Sequence, residues 1–158
     1  MTRLIAVLCM LCVGARAAQA CSCLEISRAA AFHMATDVFT GTVLSTRLFS
    51  EPIEGHLEEG LRREVIIGRV RVERSWKGAS AGRVITVYTS PDGASCGVDL
   101  PRGHEVVLFA HRLTEGVWKG RLALGRCGQP SGLSPETISD SLGAPTSVRK
   151  ETGRWPWK

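Results

Sequence analysis

The chain has 158 residues, 44% of them hydrophobic, and sets 20 Lys and Arg against 15 Asp and Glu for a formal charge of +5. That length suits one domain with a real core rather than two. So small a basic excess does not imply a nucleic-acid or membrane-surface partner, and an enzyme is not expected, for reasons given by the motifs below.

Arg3 opens onto an unbroken apolar run from Leu4 to Val13, and Ala18-Gln19-Ala20 then gives the small-x-small pattern of a signal-peptidase site. Residues 1–20 are therefore expected to be a removable signal peptide, since the run is too short to span a bilayer. Cleavage would leave 158 − 20 = 138 residues and, with Arg3 and Arg16 gone, a charge of +3. Export to a secreted, extracellular or periplasmic location follows, and no later run is long enough for a transmembrane helix. Small residues before Cys21 also resemble a lipoprotein cleavage site, but Ala18 stands where that motif favours Leu, so lipid anchoring ranks second.

Four cysteines remain after cleavage: Cys21, Cys23, Cys96 and Cys127. In an oxidising compartment four suggest two bridges. Three pairings exist, and Cys21 with Cys23 is the least attractive, because a one-residue gap closes a cramped ring. The two N-terminal cysteines are thus expected to reach across to Cys96 and Cys127. A four-thiolate zinc site is the alternative, disfavoured by the absence of paired C-x-x-C knuckles.

Ser27 can cap a first helix with Ala30, Ala31, Met34 and Ala35 on one face. Strand composition runs from Asp37 to Phe49, and Arg47 to Glu64 reads as a long surface loop. In the second strand, Arg63 to Trp76, Ile66, Val70 and Val72 alternate with Arg69, Arg71 and Glu73, and Gly68 suggests a bend or bulge. Arg83 to Ser90 forms a third strand, ended by a Pro91-Asp92-Gly93 turn. Glu105 to His111 and Val117 to Cys127 make two more, the last with Trp118, Leu122 and Leu124 facing in and Lys119 and Arg121 facing out. Ser134 and Pro135 start a final helix through Leu142, with Glu136 in its first turn. The fold class is all-β with flanking short helices, and five strands with glycines inside the first two suit a small closed barrel. The domain is expected over 21–143, followed by a poorly ordered tail at 144–158.

Catalytic motifs do not appear: there is no H-E-x-x-H, no G-x-S-x-G and no glycine-rich phosphate loop. His33, His56, His104 and His111 are scattered, and Glu51, Glu54, Glu58 and Glu59 share one loop, where solvation explains them.

The opening Cys21-Ser22-Cys23, the stretch Val87-Tyr88-Thr89-Ser90-Pro91 leading to Ser95-Cys96-Gly97-Val98-Asp99-Leu100, then Glu105-Val106-Val107-Leu108-Phe109-Ala110 and Cys127, lie in one order. Together they resemble the inhibitory, netrin-like domain of the tissue inhibitors of metalloproteinases (TIMPs). That resemblance runs from Cys21 to the final helix, with Leu24-Glu25-Ile26 replacing the family's proline-rich segment. It implies a five-stranded OB-like closed barrel with disulfides Cys21–Cys96 and Cys23–Cys127. It also implies that the amine and carbonyl of Cys21 chelate the catalytic zinc of a target metalloprotease, so the protein needs no cofactor of its own. By motif position Ser22 would point to the protease specificity pocket, flanked by Leu24 and the Gly93-Ala94-Ser95 turn beside Cys96, with Cys21 and Cys23 completing the inhibitory wedge. The alternative is a non-inhibitory netrin-like binding or envelope module, lipid-anchored at Cys21 in one form.

Overall fold

The computed structural model describes residues 21–52, 62–91, 93–115 and 118–150, with the side chain of Pro52 excepted. The expected signal peptide, the acidic centre of the 47–64 loop, Asp92 and the terminal Trp155 and Trp157 lie outside the described residues.

The described residues are mostly β-sheet with two short α-helices. Helix α1 spans Arg28–Met34, and Ser27 caps it by accepting a hydrogen bond at Oγ from the Ala30 amide, 3.2 Å away. Only part of the expected apolar face is buried: Ala31 and Ala35 are covered, whereas Ala30 and Met34 are exposed. Strands β1 (Asp37–Pro52) and β2 (Arg62–Lys77) form a long antiparallel hairpin, followed by β3 (Val84–Thr89), β4 (Glu105–Arg112) and β5 (Leu122–Leu124). Each pairs with two others in the order β1-β4-β5-β3-β2 and back to β1, a ring of five strands in which only β3 and β5 run parallel.

Alternation along these strands divides the apolar residues between two cores. Phe39, Val43, Val70, Val72, Val87, Leu108, Ala110, Leu122 and Leu124 come from all five ring strands and join Leu100 in one cluster. Their neighbours of opposite parity, Val38 and Phe109, pair across β1 and β4 and pack with Ala31, Ala35, Trp76 and Ile138 in a second. The helices therefore close one outer side of the ring.

Several expectations change. Ser50 pairs with Glu64 and Pro52 with Arg62, so strand pairing takes both ends, 47–52 and 62–64, of the expected 47–64 loop. Gly68 does not mark a bulge, because it stays in register with Thr46 and Val87 while the nearest shift falls between Val43 and Ser45. The last ring strand is only three residues long, and Trp118 sits in a turn before it, its ring tilted against Tyr88 with centroids 5.7 Å apart instead of facing the core. Cys127 lies in a 3-10 turn, Arg126–Gly128, rather than in that strand. Helix α2 is limited to Ile138–Leu142, and Ser134 and Thr137 bond to each other in the turn preceding it.

Residues 144–150 are the described part of the expected tail. Ser147–Val148 forms β6 on β2, and Thr146 and Arg149 donate backbone hydrogen bonds to Ser75 and Glu73 at 2.7 Å each. Among the described residues no helix is long and apolar enough to cross a membrane.

Candidate functional site

The chain reaches the second core at Ile26, which packs beside α1, and the residues before it run across one end of the ring. Two bonds fix their course. Cys21 joins Cys96 with Cα atoms 5.2 Å apart, and Cys23 joins Cys127 at 5.1 Å, both inside the range a disulfide spans. Cys21 and Cys23 are not bonded to each other; their sulfurs stand 3.8 Å apart. Cys96 follows β3 and Cys127 follows β5, which are parallel neighbours, so adjacent strand ends present the two anchoring cysteines.

Each anchor is held by local chemistry. Cys96 adopts φ +59°, rare for a residue with a side chain; such a backbone costs about 1–3 kcal/mol and persists only where its surroundings impose it. Its surroundings do so: its amide donates to the Gly93 carbonyl at 3.3 Å, its carbonyl accepts from the Arg126 amide at 2.8 Å, and its sulfur is tied to Cys21. Just beyond, the Val98 amide donates to the buried Thr89 Oγ1 at 2.8 Å. Cys127 is positioned by its own 3-10 turn and by Gln129. That side-chain amide accepts from the Phe109 N–H at 3.0 Å and donates to the Phe109 carbonyl at 2.7 Å, fastening the segment to β4.

Between and beside the bridges, Ser22 is exposed and Leu24 is 90% exposed, unusual for a large apolar side chain. Cys21, Cys23, Leu24, Ile26, Cys127 and Pro130 line an open groove with Glu25, Arg126, Gln129 and Ser131. Gly93, Ala94 and Ser95 are exposed on the turn before Cys96. They join the ridge through the Cys21–Cys96 bond and do not line that groove. Arg126 lies between the two, lining the groove on one side and bordering Gly93 on the other.

All four sulfurs lie within 4.8 Å of one another, close enough for a four-thiolate metal site were they free. As disulfides they lack the thiolate charge that metal ligation requires. Among the described residues no other group of His, Cys, Asp or Glu gathers into a possible metal site. Gln129, Arg126 and the φ of Cys96 were not anticipated from sequence: a glutamine in a polar loop carries no signal of its backbone partner. No family model matches the chain, and a comparison with curated proteins also finds no match.

Proposed function

We propose that the mature protein is an exported inhibitor of zinc metalloproteases, built on an OB-like barrel of the TIMP and netrin kind. The observation that carries this reading is the doubly anchored opening segment: Cys21 and Cys23 each sit at disulfide distance from a strand end, and exposed Ser22 and Leu24 project beside them. The ring of five strands is compatible with the barrel.

The chemistry begins with a new amine at Cys21 after signal cleavage. An α-amino group has an unperturbed pKa of about 7.7–8.0, so a useful fraction is a neutral nitrogen ligand near neutral pH. Catalytic zinc keeps an open coordination position, normally filled by water. The amine nitrogen and carbonyl oxygen of one residue close a five-membered ring on the metal and displace that water. Fixing Cys21 in advance through Cys96 lowers the ordering cost of binding. Ser22, small and polar, then enters the specificity pocket, while Leu24 and the Gly93–Ser95 turn cover its rim. Pairing of Cys21 with Cys96 also favours the unlipidated form, because a lipidated Cys21 has no thiol for a bridge.

A chain that begins at Cys21 should inhibit a susceptible metalloprotease, and one that retains Ala20 should lose inhibition by at least a hundredfold. The added residue converts the amine to an amide nitrogen, which has no lone pair for zinc. Equal inhibition by the two forms would refute chelation and leave a binding module on the same scaffold.

A further inference from the structure

The outer face of β1, β2 and β3 carries a second concentration of chemistry, away from the cysteine ridge. One rung across the strands holds Ser45, Arg69 and Thr86; the next holds Arg47, Ile67 and Tyr88. With Thr46 these residues line a pocket of about 460 Å³, and no carboxylate is among them. Arg47 and Arg69 are diagonal neighbours on adjacent strands, a spacing of roughly 7–8 Å over which long side chains meet. Both are exposed, and neither forms an ion pair with a described residue.

The carboxylates described on this face are already engaged. Glu51 takes Arg63 at 2.9 Å; Glu73 takes Arg71 at 3.1 Å and also Arg149. A third cation borders the pocket, since the Arg121 guanidinium lies 4.9 Å from the Tyr88 ring centroid. Two guanidiniums side by side, neither paired with a described carboxylate, raise the local potential, and nothing in the ring's packing calls for them. An anion of fitting shape would relieve it.

The residue types define that anion. A planar guanidinium fork matches the paired oxygens of a phosphate or sulfate group, and two forks at this spacing can grip one such group from two sides. Ser45 and Thr86 supply hydroxyls that both donate and accept, suited to a hydroxylated body. Ile67 and the half-buried Tyr88 make up the apolar part of the lining. A stacked base would need an open aromatic face, and Arg121 and Trp118 already lie against this ring. From this we infer that the pocket binds the phosphate or sulfate ester group of a sugar.

Calorimetric titration of the disulfide-bonded chain from Cys21 with glucose 6-phosphate, glucose 6-sulfate, glucose, citrate and adenosine monophosphate tests this. Both sugar esters should bind saturably with Kd of about 1 mM or tighter, and glucose should not. Arg69→Gln and Arg47→Gln should each weaken ester binding at least tenfold, and Arg83→Gln, outside the pocket, should leave it unchanged. Unchanged denaturation midpoints would show that these exposed substitutions leave the fold intact. No saturable ester binding, equal binding of glucose or citrate, an Arg69→Gln variant that binds as before, or a tenfold preference for the nucleotide would each overturn the inference. Protease inhibition should persist in Arg69→Gln, so this site and the cysteine ridge succeed or fail separately.

Discussion

A methyl group on Gly68 would fall 2.7 Å from Leu100 Cδ1 and 3.2 Å from Val87 Cγ2, inside the distance at which carbon atoms rest. The glycine exists so that Leu100, arriving from the segment after Cys96, can lie flat on β2 and enter the first core. Gly68→Ala is therefore expected to destabilise the fold by about 1–3 kcal/mol, the usual cost of overpacking. Urea denaturation measures it, and an unchanged midpoint would mean that Leu100 can step aside at no cost. The sequence singled out this glycine for the wrong reason. An interior glycine signals either a bulge or a close approach, and the distinction depends on Leu100, thirty-two positions later, which strand periodicity does not bring to mind.

Among the elements, β2 was the most legible. Its alternation of Val70 and Val72 with Arg69, Arg71 and Glu73 follows directly from having one side in the core. The end of the sheet was less so. Val117 to Cys127 has strand-like alternation, yet Gly120 takes φ +81° and its amide bonds back to Leu113 at 2.7 Å, so a turn replaces the first half of the expected strand. β6 was invisible because Ser147 and Val148 make too short a run to carry a period. It is secured by Glu73, which faces Arg149 and accepts from Thr42 Oγ1 at 2.8 Å. Burial acts to raise the Glu73 pKa, but hydrogen bonds from Arg149, Thr42 and Arg71 outweigh it, and the net direction is down. A carboxylate lowered in the folded state stabilises the fold above its unfolded pKa, about 4.3, and that contribution disappears as pH falls through the folded value. Glu73→Gln should accordingly be less stable than the parent at neutral pH, with the gap closing below about pH 4. Denaturation midpoints measured across that range provide the check, and a gap of constant size would remove the ionised carboxylate from the explanation.

At the scale of the molecule, the two cysteine bridges convert a flexible chain end into part of the ring's surface. Cysteine count and spacing made it legible that Cys21 and Cys23 reach distant partners. Which partner each takes depends on β3 and β5 lying side by side, a long-range fact that local patterns do not hold. The exposed Ser22 and Leu24, and the turn at Gly93, owe their positions to this arrangement. The proposed inhibition turns on one bond, from the Cys21 nitrogen to a metal that belongs to another protein. The most direct measurement uses a cobalt-substituted metalloprotease that the mature chain inhibits, read by the ligand-field absorption of the metal. Adding the chain from Cys21 should shift those bands as a nitrogen donor replaces water, and the same chain acetylated at its amine should leave them unchanged. Inhibition with no spectral shift, or an acetylated chain that inhibits and shifts the bands as fully as the free one, would contradict it.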